Sequence, residues 1–394
     1  MSNVMKHYIS SGLWVTVNTF TAGAVLQTFL MEHGFSEELT NIITASGQII
    51  SLVVMLLFSP VSDRIRNVIK ATAGTYLLYL PILFVLLTVC LQGRITPLTT
   101  VLLFLTIGLY SCSGGLQSSL TYKLPFVTLD MRMYGRVTSI GGIVTGVIGL
   151  LLSVALTWLQ ESLGYRSAMT GIFTLCVPLL IIVYFVVVTM KPIADAPTAN
   201  KIKAKPINYF RFKPFSQLIA ANLLRGFGTG ILNVVVTIGY FCNCIDAKSA
   251  AYVVLISNLT TFLGAGMYSV VTGKLPEKLI ILVASVGMFA SVPFMVVGSN
   301  TLTFLIFYGI ATFFWTAINY SIPVAVVQIA DYSVMGQYSS GRLLLHTLGS
   351  SLAGFICIKL IEWFGAIPTM TFTGVCFLLC GVSYFVYMKK NKLR

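Results

Sequence analysis

The chain has 394 residues, of which 57% are hydrophobic and only 9% charged, where a soluble domain carries about 25% charge. That composition excludes a water-solvated globule and makes lipid the main solvent. The net charge of +14 could suit nucleic acid, but its distribution excludes that partner, because it follows the rule that basic loops stay cytoplasmic.

A membrane-crossing helix needs about 20 mostly apolar residues. Twelve such spans are predicted, at 8–31, 38–58, 69–92, 97–121, 136–160, 167–190, 214–241, 248–271, 278–298, 301–325, 340–361 and 367–388. With a cytoplasmic N-terminus, twenty of the 25 Lys and Arg fall in cytoplasmic loops and tails; Arg94, Arg166 and Lys248 lie outside, and Arg225 and Lys359 fall within spans. Both termini are therefore expected in the cytoplasm, in a multi-pass protein of a plasma membrane of the bacterial cytoplasmic type. No cleavable signal peptide is expected, since the first span is too long and no small-residue site follows it.

Span one carries Trp14, Asn18 and Gln27. After span two comes a short turn, Ser59-Pro-Val-Ser-Asp63-Arg64-Ile-Arg66-Asn-Val-Ile-Lys70. Span four holds Tyr110, Ser111, Ser113 and Gln117, and Asp130, Gly135, Arg136 and Ser139 follow it. Span five is rich in glycine, and Gly142-x-x-x-Gly146 allows close helix packing in lipid. The proline-rich basic run Lys191–Lys213 cannot bury apolar surface and reads as a solvated linker. It divides the chain into a six-span bundle at 1–190, a linker at 191–213 and a second six-span bundle at 214–394.

Span seven brings Asn222, Arg225 and Asn233, and span ten brings Trp315, Asn319 and Tyr320. Asn222 and Arg225 share a helix face, as do Trp315 and Asn319. After span ten, Asp331, Gly336 and Ser340 repeat Asp130, Gly135 and Ser139 at an offset of 201 residues, as two parallel-repeat halves would. Asp130 and Asp331 can cap the following helices or pair with Arg132, Arg136 and Arg342. Arg225 lies about ten residues into its span, where an arginine costs roughly 2.5–3.5 kcal/mol to insert. All eleven Asp and Glu fall in loops or span ends, so the partners expected for Arg225 are neutral groups, water or an arriving anion. Lys359 and Glu362 read as an interfacial pair, and His346 reads as a helix contact that could titrate.

The turn after span two resembles the signature Gly-x-x-x-Asp-Arg/Lys-x-Gly-Arg/Lys-Arg/Lys of the major facilitator superfamily. Asp63 and Arg64 match; Ser59 replaces the first glycine and Arg66 the second. The Gly273-Lys274-Leu-Pro-Glu277-Lys278 stretch is a degenerate second-half equivalent. The resemblance implies an all-α polytopic fold of twelve helices in two pseudo-symmetric six-helix bundles. It implies that spans one, four, seven and ten line a midplane cavity, with Asn18, Tyr110, Gln117, Asn222, Arg225, Asn233, Trp315, Asn319 and Tyr320 as candidate solute contacts. For any one asparagine or serine among such positions, a helix–helix hydrogen bond is an equal alternative. It further implies a cytoplasmic gate in which Asp63 and Arg64 act with Asp130, Arg136, Asp331 and Arg342. Asp63 would face a helix N-terminus, worth about 0.3–1 kcal/mol.

The expected activity is a secondary or facilitative carrier of a small polar organic solute, anionic or sugar-like, working by alternating access. A proton-coupled exporter of drugs or amphipathic compounds is the alternative. It is disfavoured by the missing Gly-Pro pair in span five and by Tyr110 near the place of an antiporter arginine. With no carboxylate placed at midplane, exchange or uniport is expected, with a proton route through His346 or Asp130 in reserve. No catalytic constellation, phosphate loop, cofactor or metal site is legible, so an enzyme or ATP-driven pump is not expected. The eight cysteines read as small buried hydrophobes. Solute and membrane lipid are the expected partners, and the chain is expected to be a monomer.

Overall fold

The computed structural model describes residues 1–21, 23–35, 37–62, 64–130, 133–193, 208–209, 211–245 and 247–393. They form sixteen α-helices. The first half contains α1 (Asn3–Thr21), α2 (Gly23–Glu32), α3 (Glu37–Ser62), α4 (Val68–Leu77), α5 (Leu80–Gln92), α6 (Pro97–Leu120), α7 (Lys123–Thr128), α8 (Tyr134–Leu163) and α9 (Tyr165–Val188). The second half contains α10 (Lys213–Asn233), α11 (Val235–Phe241), α12 (Ala247–Val271), α13 (Glu277–Ser291), α14 (Thr301–Ile329), α15 (Met335–Phe364) and α16 (Ala366–Lys390). Each of the twelve predicted spans falls on one helix or on two consecutive ones.

Among the described residues, seven helices are long and apolar enough to cross a membrane, and a pair bent by 53° within α15 makes an eighth. Spans three and seven differ from the prediction because each is broken, after Leu77 and after Asn233. The break in span three has a local cause: Pro81 sits in the first turn of α5, where its missing N–H costs no helical bond but ends the preceding helix. Hydropathy cannot see such breaks, because both sides of each are apolar.

Three helices, α4, α6 and α14, start at polar side-chain caps. Thr96 and Thr99 form a reciprocal capping box ahead of Pro97, with backbone-to-hydroxyl distances of 3.2 and 2.7 Å. Asn67 accepts from the Lys70 amide at 3.0 Å, and Asn300 from the Leu302 amide at 2.8 Å. Each such cap contributes about 1 kcal/mol. Inside the helices, hydroxyls bond back to the preceding turn: Thr16 to the Gly12 carbonyl at 3.0 Å, Thr312 to Tyr308 at 2.9 Å and Thr373 to Thr369 at 2.9 Å. A polar letter within an apolar span is thus often satisfied by its own helix.

The chain forms two compact units, one of residues 1–131 and 148–204, the other of 132–147 and 205–394. In the first, α1 packs on α9, α3 on α6, α4 and α5 on α9, and α5 on α6. In the second, α10 packs on α16, α12 on α14, α13 on α16, and α13 on α14. Numbered by span, the first set is 1–6, 2–4, 3–6 and 3–4, and the second is the same set advanced by six. The 201-residue offset read from sequence extends through this architecture: α8 and α15 both have 30 residues and start 201 apart. The glycines that end them, Gly164 and Gly365, both adopt positive φ (76° and 90°) ahead of the next helix.

The glycine motif of span five does what its spacing predicts. A Cβ on Gly142 would lie 2.3 Å from the Tyr320 hydroxyl, and one on Gly146 would lie 2.9 Å from the Phe262 Cα. Lys359 and Glu362 form the predicted exposed pair at 2.6 Å. All eight cysteines are free thiols, and no metal-binding group of His, Cys, Asp or Glu occurs among the described residues.

Candidate functional site

Two polar patches lie in the helices that the sequence singled out, one in each unit. In the first unit Tyr110 on α6 donates to the Asn18 Oδ1 on α1 at 3.0 Å. Tyr79 meets Tyr110 edge-on at 4.7 Å between centroids, and Trp14 meets Tyr79 at 4.4 Å and Tyr76 at 5.2 Å. Such edge-to-face pairs add about 0.5–1.5 kcal/mol each beyond burial. The patch is therefore a fixed, neutral, aromatic wall. Gln117, two turns further along α6, buries its Nε2 without a hydrogen-bond partner among the described residues.

In the second unit Arg225 on α10 is only 7% exposed, and its guanidinium donates to the Asn319 Oδ1 on α14 at 2.6 Å. This is a neutral partner of the kind expected from the sequence. Four residues before Asn319, Trp315 buries its Nε1 with no acceptor among the described residues. Tyr320, one residue after it, stacks on Tyr268 with centroids 6.0 Å apart. His346 on α15 contacts the Thr229 hydroxyl at 3.3 Å and lies within electrostatic range of Arg225 and Arg342.

The backbone explains how these groups meet. Along Arg225-Gly226-Phe-Gly228-Thr-Gly230, a Cβ on Gly226 would lie 2.0 Å from the His346 carbonyl oxygen, and one on Gly230 would lie 2.2 Å from that of Ser350. Reciprocally, a Cβ on Gly349 would lie 2.3 Å from the Leu223 carbonyl oxygen. Small residues thus bring the α10 and α15 backbones into contact, a packing mode suited to lipid, where hydrophobic burial drives no helix association. That seam sets Arg225 beside the α15 face carrying His346. The Gly226-x-x-x-Gly230 spacing was visible in the sequence but was not read as a packing signal.

Other candidates are placed differently. Asn222 is 1% exposed; its Nδ2 donates to the Leu218 carbonyl at 2.8 Å and its Oδ1 accepts from Tyr384 on α16 at 3.0 Å. That is the helix–helix alternative, with the amide engaged at both ends. Asn233 is exposed at the last residue of α10. Asp63 lies outside the described residues. Arg64, Asp130, Arg136 and Asp331 are exposed, whereas Arg342 is buried at 1% exposure. Asp331 does not cap α15, whose cap position is Val334 with no side-chain hydrogen bond.

The sequence reading missed one carboxylate. Glu277, the first residue of α13, is 4% exposed rather than a solvated loop acid. Tyr268 donates to its Oε2 at 3.1 Å and Thr272 to its Oε1 at 3.0 Å. Its place in the degenerate Gly273–Lys278 turn was the sequence signal for it; that signal did not show that packing buries it.

No protein-family profile matches the chain, and no curated protein matches it in sequence. Solved structures do match. The human organic anion transporter MFSD10 (TETRAN) aligns with a TM-score of 0.72 at 10% identity, over 97% of this chain and 98% of that one. The E. coli fucose:proton symporter FucP aligns at 0.69 and 11% identity over 97% of each. A bacterial homologue of the iron transporter ferroportin, in an outward-facing state, aligns at 0.72 and 12% identity over 98% of each. The chain therefore has the all-α, multi-span fold of major facilitator superfamily transporters.

Proposed function

We propose that this chain, built on the major facilitator fold, is a secondary or facilitative carrier, and not an enzyme, that moves a small polar organic anion or sugar-like solute by alternating access. The observation that carries this reading is Arg225. It is a buried guanidinium that donates to the Asn319 amide oxygen of α14, joining the two second-half helices expected to contact solute. A carboxylate, phosphate or vicinal diol matches the guanidinium's planar fork of donors. The Trp315 indole N–H, without an acceptor among the described residues, adds a donor on the same helix face as Asn319. A guanidinium beside an indole donor suits an oxygen-rich solute better than an amphipathic cation, so the exporter alternative is the weaker reading. Two of the structural neighbours are described as an organic anion transporter and a fucose symporter, which accords with this class.

In this reading both termini and the Lys191–Lys213 linker face the cytoplasm of a bacterial-type plasma membrane. Asp63 and Arg64 belong to the cytoplasmic gate with Asp130, Arg136, Asp331 and Arg342, and the carrier works as a monomer with bundles at 1–190 and 214–394. Counterflow in proteoliposomes, with a panel of sugars, sugar acids, organic phosphates and cationic dyes, tests the function. Trans-acceleration by an anionic or sugar solute supports it; trans-acceleration by cationic dyes alone transfers the assignment to export. Labelling of a cysteine at Ala199 from the outside only would reverse the topology.

A further inference from the structure

Glu277 is a carboxylate that the reading above leaves without a task. Its surroundings pull its charge in opposite directions. Burial without a cation penalises the charged form, and among the described residues none forms an ion pair with it. Two hydroxyl donors, Tyr268 at 3.1 Å and Thr272 at 3.0 Å, favour the charged form, as does its place in the first turn of α13. The fully buried hydroxyl of Ser321 on α14 faces the same carboxyl without closing a hydrogen bond. A protonated carboxyl supplies a donor and an ionised one an acceptor, so the Ser321 hydroxyl can serve either state. Access to water is short, because Gly273, Lys274 and Leu275 just ahead of it are exposed.

Among the described residues, the charged and titratable groups around the network give Glu277 no fixed counter-ion. From α12 it is faced by Tyr268, behind which stands Tyr320 of α14. On its own segment Lys274 is exposed, and the Lys278 ammonium is turned to the Leu393 carbonyl at 2.7 Å. Arg136 on α8 is exposed, as are Lys389 and Lys390 on α16, with Lys389 lying over the Phe385 ring. The network also has a mechanical neighbour. A Cβ on Gly135 would lie 2.7 Å from the Thr272 hydroxyl, and one on Gly142 would strike the Tyr320 ring. The first turns of α8 are therefore seated on the side chains that hold Glu277.

We propose that Glu277, with Tyr268, Thr272 and Ser321, is a proton-binding site that binds and releases one proton. Its charge state acts on the Thr272 and Tyr320 side chains under the start of α8, and Tyr320 adjoins Asn319, the partner of Arg225. In the carrier reading, on which this last step rests, Glu277 supplies the coupling acid that the sequence lacks at midplane.

Infrared titration of the full-length protein reconstituted in lipid, with no solute added, tests the site itself. The wild type is expected to show a protonated-carboxyl stretch that titrates with pH and is missing from Glu277→Gln. Tyr268→Phe removes one donor to the carboxylate, so its midpoint should rise by about one unit, a tenfold tighter hold on the proton. A band unchanged in Glu277→Gln, a midpoint unmoved in Tyr268→Phe, or a carboxyl that answers to sodium and not to pH would overturn the proposal. Because the titration needs no transport, its failure leaves the carrier reading intact, and a failed counterflow assay leaves the titration intact.

Discussion

The two halves repeat one packing scheme, yet their polar interiors differ in kind. In the first half, spans one and four are joined by Tyr110 and Asn18, two neutral groups braced by Trp14, Tyr76 and Tyr79. In the second, the corresponding spans seven and ten are joined by Arg225 and Asn319, a charge held by an amide. The same geometric link thus carries shape on one side and electrostatics on the other. The backbones differ to match. Glycines bring α10 and α15 into direct contact, whereas the glycines of α8, the equivalent of α15, fit around Tyr320 and Phe262 of α14 and α12. A repeated scaffold with unequal interiors places a buried charge in one half and leaves the other to shape and stacking.

The comparison is broken most sharply at Arg225. Arg225→Ala should lower solute exchange by tenfold to a hundredfold, the size expected for losing a hydrogen bond to a charged group. Arg225→Lys keeps the charge without the planar fork and should lose less. Exchange rates in proteoliposomes at matched protein density measure both.

Next in size is the glycine seam. Gly226→Leu forces a side chain against the His346 carbonyl and should cost about 1–3 kcal/mol or more, seen as a lower thermal midpoint in detergent. Gly171→Ala in α9, where a Cβ meets nothing within 4 Å, should be neutral or gain about 0.5–1 kcal/mol. Equal effects at the two sites would remove the distinction between the backbones.

Asn222→Leu leaves the Tyr384 hydroxyl without its acceptor and should lower stability by about 1–3 kcal/mol. Solute affinity in the folded fraction should stay unchanged; a selective loss of affinity would move Asn222 into the binding patch. The smallest effect is expected from Tyr110→Phe, which keeps the ring stacked on Tyr79 and loses one neutral hydrogen bond. A drop in exchange of fivefold or less, about 1 kcal/mol, would confirm that the first half contributes shape.

Much of this was legible in the chain because lipid imposes a simple code. Apolar run lengths placed all twelve spans on helices, and Asp130 with Asp331 exposed the 201-residue repeat that the equal lengths of α8 and α15 bear out. Arg225 stood out because no apolar span holds an acid at its depth. The break after Asn233 was not legible, since a turn between apolar segments leaves no hydropathy signal. Asn222 could not be separated from Arg225 on the same helix face, because a neighbouring hydroxyl such as Tyr384 becomes visible only once α16 is packed. Glu277 was hidden for the opposite reason: it follows a loop in sequence, and only the packing of α12 and α14 around it removes it from water.

The central claim is that Arg225 holds the solute of a carrier. It is met most directly by counterflow in proteoliposomes with the panel of sugars, sugar acids, organic phosphates and cationic dyes, run side by side on the wild type and Arg225→Ala. The account predicts that an anionic or sugar-like solute loaded on one side accelerates its own entry from the other, and that Arg225→Ala, still folded by its thermal midpoint, loses this acceleration. Exchange by Arg225→Ala at wild-type affinity, or trans-acceleration by none of these solutes, would contradict it.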